Sequence, residues 1–169
     1  ACSKPAAEPS QDISLFIMDS FVEIKAVGEA DVTGLALQAA VAAVKHVDRL
    51  LGYQDSAVTR LNRAHRLSDP EIYRLIALGL DIEQASGGAF SWSLRPILHS
   101  YGFTGQHAYR LPTAAEFAAW RQLPDDRAIR LESDGHSVTT APNLRLELAS
   151  LGDGYAADLA AEALKRSGI

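Results

Sequence analysis

The amino-acid sequence predicts an α+β fold in which helices pack on an antiparallel or mixed sheet. Residues 21–27 alternate apolar and polar side chains, as a half-buried strand does. Residues 31–51 repeat apolar side chains at helical spacing, and residues 128–139 carry two strand-like runs around Ser133-Asp134-Gly135. The order in which these strands and helices follow one another is typical of the α+β class.

The composition narrows the classes of function. Of the 169 residues, 47% are hydrophobic and 22% are charged, so a core can form and wholesale disorder is excluded. The net charge of −5 argues against a general nucleic-acid binder, which would carry a basic excess. The single cysteine, Cys2, excludes an internal disulfide framework and a cysteine-based zinc cluster.

The first eleven residues differ from the rest. Residues 1–11 are small, polar and proline-containing, and they predict a flexible tether ahead of a folded part over residues 12–169. Cys2 followed by such a tether is typical of a processed bacterial lipoprotein, in which the thiol is acylated. The alternative is an incidental cysteine near the end of the chain.

The first half of the folded part predicts an extended segment and two long helices. Residues 13–27 are extended, with a break or bulge at Asp19-Ser20. The first helix spans residues 31–51, with its apolar stripe at Leu37, Val41, Val44, Val47 and Leu51. The second starts at a capping box, Ser68-Asp69-Pro70-Glu71, and ends before Gly87-Gly88. Its stripe comprises Ile72, Leu75, Ile76 and Gly79.

The second half predicts a short helix, a hairpin, a strand and a last helix. Thr113, with Glu116 as its capping partner, begins a helix that buries Phe117 and Trp120. The hairpin of residues 128–139 is followed by a strand over residues 144–148. The last helix spans residues 154–166, with Asp153 as its N-cap. Because the chain stops directly after this helix, we expect the lobe to be incomplete.

Three loops concentrate the residues that could bind a ligand. Tyr53-Gln54-Asp55-Ser56 lies between the long helices, and paired glycines at Gly87-Gly88 allow a backbone to approach a ligand closely. Residues 147–155 enter the last helix, whose N-terminus suits a phosphate. The alternatives are a plain helix stop at Gly87-Gly88 and an ordinary N-cap at Asp153. The five histidines lack metal-ligand spacing, and no serine has an evident triad partner.

Taken in order, four segments resemble motifs of the FAD:protein FMN transferases, the ApbE family. Met18-Asp19-Ser20 stands where the family has Met-Gly-Thr, and residues 50–62 are similar to its Leu-x-x-Tyr-x-x-Ser stretch ending in Asn. Residues 87–103 are similar to its Gly-Ala-Phe-Asp-Pro-Thr-x-Gly-Pro-Leu and Trp-Gly-Phe motifs. Residues 146–158 resemble Asp-Leu-Gly/Ser-x-x-x-Lys/Glu-Gly-Tyr-Ala-x-Asp, the most specific of the four. The resemblance covers roughly residues 13–169.

The resemblance implies a fold, a reaction and a set of site residues. The fold is an ApbE-like (T-fold-like) lobe, and the reaction is a Mg²⁺-dependent transfer of FMN from FAD to a threonine of a target protein, with release of AMP. A Ser150 oxygen would bind Mg²⁺, and Cys2 would anchor a periplasmic lipoprotein to the membrane. Flavin contacts are implied at Met18, Tyr53, Gly88, Ala89, Phe90, Glu147 and Asp153.

The departures from the family pattern limit what this chain is expected to do. Ser91-Trp92-Ser93 replaces Asp-Pro-Thr, which removes a carboxylate and adds a ring expected to narrow the pocket. Asp19-Ser20 replaces Gly-Thr, and Glu147 replaces Asp. The family's second half, with the remaining Mg²⁺ ligands and the expected catalytic residues, has no counterpart here. We therefore expect a partner chain or a missing second half, and no FMN transfer by this chain alone. The alternative is a non-catalytic flavin-binding or lipoprotein interaction module.

Overall fold

The computed structural model describes residues 9–87, 89–103, 108–123 and 126–169. These residues form two compact units, one holding the described residues up to Arg49 with Gly152–Ile169 and the other holding Leu50–Leu151. In chain order the elements are β1 (Ser10–Ile17), β2 (Ser20–Val27), α1 (Ala30–Leu51), α2 (Ala57–Ala64), β3 (Arg66–Ser68), α3 (Pro70–Ala85), α4 (Arg95–Tyr101), α5 (Ala114–Trp120), β4 (Ile129–Leu131), β5 (Ser137–Thr140) and α6 (Ala149–Arg166).

The strand pair β1–β2 is an antiparallel hairpin in the first unit. Its register pairs Ser10 with Val27 and Ile17 with Ser20. Met18 and Asp19 form the turn, with φ angles of 56° and 55°, the left-handed region that a tight hairpin turn requires. The expected break at Asp19-Ser20 is therefore a chain reversal. Alternation along β2 buries Ile24 and Ala26 and leaves Glu23 and Lys25 exposed.

The core of the first unit is built mainly from small side chains. Alanines let a strand and a helix backbone approach closely, so the unit packs at short range. The predicted stripe on α1 is buried at Leu37, Val44 and Val47, while Val41 is only half-buried. The buried apolar residues of this unit are Ile24, Ala26, Ala36, Leu37, Ala40, Val44, Val47, Ala156, Ala160 and Ala163.

The second unit combines a three-stranded antiparallel sheet, in the order β3-β5-β4, with helices. The predicted hairpin is confirmed as β4–β5, which pairs Leu131 with Val138. Asp134 lies in the turn of this hairpin. Hydrogen bonds from the Ser137 side chain and from the backbone N–H groups of His136 and Ser137 lower its pKa to about 2. The predicted stripe on α3 is confirmed, since Ile72, Leu75, Ile76 and Gly79 are all buried.

Two helix starts differ from the prediction. The cap of α3 is Asp69, whose Oδ1 accepts from the N–H groups of Glu71 and Ile72, so Ser68 is not the capping residue. The last helix begins at Ala149 rather than at residue 154. Asp153 is therefore inside α6 and not its N-cap, because Glu147 accepts a hydrogen bond from the N–H of Ala149 at the start of the helix.

Further differences concern burial and short elements. The capping box of α5 is confirmed, but the prediction that α5 buries Phe117 and Trp120 is wrong, since no residue of that helix is buried. Residues 144–148 form no strand, although Leu144, Leu146 and Leu148 are buried. The short elements α2, β3 and α4 were not predicted from the sequence.

Within the described residues, no helix has both the length and the apolar character needed to cross a bilayer.

Candidate functional site

In the first unit, Met18 and Asp153 line one groove. The groove has a volume of about 480 Å³ and runs along β2 from Ser20 to Lys25, against the alanine-rich face of α6. Met18 reaches it because of the left-handed turn, and Asp153 because it lies in the second turn of α6. Two of the residues implied in flavin binding are thus brought together within this unit.

In the second unit, Arg95 joins two other residues implied in flavin binding. Its guanidinium carbon lies 5.1 Å from the centre of the Tyr53 ring, a cation–π distance. Its Nη1 lies 3.8 Å from Oε2 of Glu147. The side chain of Arg95 is 20% exposed and that of Glu147 only 4%. We call this group, Tyr53, Arg95 and Glu147, the Arg95 cluster.

Glu147 is held by its backbone and by one carboxylate oxygen. Its N–H donates to the carbonyl of Trp92, at 3.0 Å, and its Oε1 accepts from the N–H of Ala149, also at 3.0 Å. Its Oε2 is buried and has no hydrogen-bond partner within the described residues. A buried carboxylate needs an opposing charge, so the Arg95 guanidinium sets the electrostatics of this place.

Asn62 fixes the segment that carries Glu147. Its Nδ2 donates to the carbonyl of Leu146 at 3.0 Å, and its Oδ1 accepts from the N–H of the same residue at 2.7 Å. Both partners are buried, and both backbone groups of Leu146 are satisfied by one side chain instead of a neighbouring strand. This explains why residues 144–148 are mostly buried and yet form no strand.

Trp92 is a structural anchor, and the expectation that it narrows the pocket is wrong. The ring is 1% exposed, and a Cβ on Gly79 would lie 2.3 Å from its Cη2. The indole N–H donates to Oε2 of Glu83 at 2.5 Å. The ring therefore fills the space above Gly79 on α3, and Trp92 offers its carbonyl to Glu147.

The loop before Trp92 carries the remaining implied flavin residues. Phe90 packs edge-on against Trp92, with ring centres 5.1 Å apart, and its N–H donates to the Ser86 hydroxyl. Ala89 is exposed. Gly88 and Cys2 lie outside the described residues.

The described residues do not fit the implied magnesium site. No three histidine, cysteine, aspartate or glutamate side chains converge on a common point anywhere in the described ranges. Ser150 is in the first turn of α6, so its carbonyl accepts the helical hydrogen bond from residue 154. Of the two carboxylates three residues from it in sequence, Glu147 already faces the Arg95 cation, and Asp153 lines the groove of the first unit. Since Mg²⁺ takes about six oxygen ligands, the described residues around Ser150 do not by themselves form its site.

Sequence reasoning missed Arg95 and the anchoring roles of Asn62 and Trp92. Arg95 stands where the resembling motif has glycine, so motif comparison gives no role to a cation there. Asn62 closes a motif stretch, but its partner is 84 residues away in the chain. A signal was available for Trp92, because Gly79 inside a strongly helical pattern indicates a close approach by another group.

Comparisons with known proteins give one matching family and several similar structures. The sequence model of the ApbE family matches residues 18–169. The structure is similar to an ApbE protein of Thermotoga maritima, with a TM-score of 0.86 and 19% identity over 94% of this chain and 53% of that one. It is also similar to the apo form of the flavinyl transferase ApbE of Pseudomonas stutzeri, with a TM-score of 0.81 and 27% identity over 98% of this chain and 58% of that one.

A third structure extends the likeness. The flavin transferase ApbE of Vibrio cholerae has a TM-score of 0.78 and 19% identity over 95% of this chain and 55% of that one. The chain thus spans little more than half the length of these proteins. Among curated protein sequences, none matches this chain.

Proposed function

The chain belongs to the ApbE family, and on that premise we propose that it binds a flavin nucleotide as part of an FAD:protein FMN transferase. The observation that carries the proposal is the Arg95 cluster, in which one guanidinium contacts both the Tyr53 ring and the Glu147 carboxylate. Tyr53 and Glu147 come from motifs about 90 residues apart, both of which resemble flavin-binding segments of the family. Their meeting at one cation supports a common site.

The proposed roles follow from the chemistry of these side chains. Aromatic rings at Tyr53 and Phe90 offer faces and edges against which a flavin ring can pack. Ala89 is exposed, and its N–H donates to the Ser86 carbonyl at 3.4 Å, a long bond that a flavin carbonyl oxygen could replace. The contact at Gly88 is assigned only by the resemblance. The buried Oε2 of Glu147 can accept a hydrogen bond from a flavin N–H. Met18 and Asp153, which belong to the other unit, are assigned flavin contacts only by the resemblance.

In the whole transferase, FMN would pass from FAD to a protein acceptor. The hydroxyl oxygen of a target threonine forms a bond to the FMN-side phosphorus and its proton is released, while the bond from that phosphorus to the AMP oxygen breaks and AMP leaves. Mg²⁺ would supply the positive charge that opposes the growing charge on the phosphates. Its oxygen ligands would have to come from residues other than those described. We expect this chain by itself to transfer no FMN.

One observation favours the second candidate, a non-catalytic flavin-binding module. The charge of Glu147 is already opposed by Arg95, so the most specific family motif holds its carboxylate with a protein cation rather than leaving it for a metal. Both candidates share flavin binding as their first step. The periplasmic location and the lipid on Cys2 belong to the proposal as well and rest on the N-terminal sequence.

Flavin binding is tested by titrating FAD into the chain and into its Tyr53→Leu variant. Leu keeps apolar bulk but removes the aromatic face, so we expect about tenfold weaker binding, the scale of one lost aromatic contact. Quenching of flavin fluorescence gives the dissociation constant. Tyr109→Leu is the matched control, because Tyr109 is 76% exposed and belongs to no proposed site. Equal loss in both variants, or none in Tyr53→Leu, would contradict the assignment.

A further inference from the structure

A cleft lined by cationic side chains lies beside the Arg95 cluster, and none of the resembling motifs assigns it a role. Arg95, Pro96, His99 and Arg145 line a cleft with a volume of about 420 Å³ in the second unit. We call it the arginine cleft. The lining residues that the structure describes include two guanidinium groups and one imidazole, and none of them is a carboxylate. A cleft of this size holds a phosphate or a diphosphate with room to spare.

The two contacts of the Arg95 guanidinium leave its N–H donors unused. Its distance of 3.8 Å from Glu147 is too long for a hydrogen bond, and its contact with Tyr53 is with the ring face. Within the described residues these two contacts hold the group in place without using its five N–H donors. A guanidinium that is only 20% exposed and makes no hydrogen bond to the described part of the chain has unused donors, and an anion bound beside it would accept from them.

Arg145 is held in place by hydrogen bonds to described residues from only one of its three guanidinium nitrogens. Its Nη1 donates to the carbonyl oxygens of Pro142 and Leu144, each at 2.8 Å. These bonds orient the planar group from one side. The donors on Nη2 and Nε make no hydrogen bond with the described residues. A preorganised guanidinium loses little conformational entropy when it binds an oxyanion.

We propose that the arginine cleft binds the phosphate groups of a phosphate ester or diphosphate. Two guanidinium groups give the charge and the forked donors that phosphate oxygens prefer. The inference rests on the proposed function only for the identity of the ester. If the ester is a flavin nucleotide, the ring would lie at the Arg95 cluster and its phosphate in the arginine cleft. The shared residue, Arg95, joins the two places.

The test uses calorimetric titrations of the whole chain with pyrophosphate, riboflavin and FMN. We expect pyrophosphate to bind, and Arg145→Gln to weaken its binding about tenfold, as expected for the loss of one charge-assisted contact. Arg145→Lys should fall between, because it keeps the charge and loses the fork. Arg130→Gln removes an exposed arginine of β4 outside the cleft and should leave pyrophosphate binding unchanged. Unfolding curves identify any variant that fails to fold.

The three titrations together show whether the cleft binds phosphate and whether that phosphate belongs to a flavin nucleotide. FMN binding more tightly than riboflavin in the wild type, with the difference reduced in Arg145→Gln, supports the cleft and identifies the phosphate as that of a flavin nucleotide. Equal affinities for FMN and riboflavin, with pyrophosphate binding intact, support the cleft for a separate phosphate ligand. Pyrophosphate binding without riboflavin binding keeps the cleft and overturns the flavin site. If the wild type binds neither pyrophosphate nor FMN better than Arg145→Gln does, the inference is overturned.

Discussion

Replacing Trp92 by alanine should lower the free energy of unfolding by about 3–5 kcal/mol, the range for truncating a large buried aromatic side chain. The ring is 1% exposed and fills the space over Gly79, so its removal leaves a cavity on α3. The hydrogen bond from the indole N–H to Glu83 is lost as well. Chemical denaturation monitored by circular dichroism measures the change.

A double-mutant cycle separates this packing from a general loss of stability. Gly79→Ala alone should destabilise the chain, since its Cβ would lie 2.3 Å from Cη2 of a ring that cannot move. In the Trp92→Ala background the same substitution meets no ring and should be neutral or stabilising, because alanine is the better helix former by about 1 kcal/mol. Additive effects of the two substitutions would show that the ring and the glycine are not in contact.

Replacing Arg95 by methionine should cost about 3 kcal/mol, near the lower end for breaking a buried ion pair. Methionine keeps an apolar stem, but Glu147, which is 3% exposed, is left without an opposing charge. The lower end applies because Arg95 retains some contact with solvent. Thermal and denaturant unfolding of the variant against the wild type give the difference.

The double variant Arg95→Met with Glu147→Gln is the control for charge. Glutamine has the shape of glutamate without its charge, so position 147 no longer carries a buried anion without a partner. We expect the double variant to recover most of the stability lost in Arg95→Met. A double variant as unstable as the single one would mean that Arg95 acts through packing, for example on the Tyr53 ring, and not through Glu147.

Elements defined by local patterns were predicted well. The stripe on α3, the hairpin around Asp134 and the Thr113–Glu116 capping box depend on residues within a few positions of one another. The errors arose where contacts between residues distant in the chain determine the secondary structure. Residues 144–148 have the buried pattern of a strand, but Asn62 satisfies the backbone of Leu146, so no ladder forms. The start of α6 moved because the Glu147 carboxylate caps the N–H of Ala149.

The site was predictable only as a set of motifs. Resemblance named Tyr53 and Glu147 separately, but the cation that joins them stands at a position where the motif has glycine. For Trp92 half of the pairing had a signal, since Gly79 within the helical pattern indicates a close approach, but that the Trp92 ring is the group beside it is known only from the fold. The meeting of Arg95 with Tyr53 and Glu147 has no local signature in one sequence.

The most direct measurement of flavin binding at the Arg95 cluster is a two-dimensional NMR titration of the isotope-labelled chain with FAD. We predict that the backbone signals of Tyr53, Ala89, Phe90 and Glu147 shift together and saturate along one binding curve. Signals of α5 and of the β4–β5 hairpin should stay in place, because no proposed flavin contact lies there. A folded chain whose Tyr53 and Glu147 signals do not move at about 1 mM FAD, a concentration that would detect even weak binding, would contradict the account.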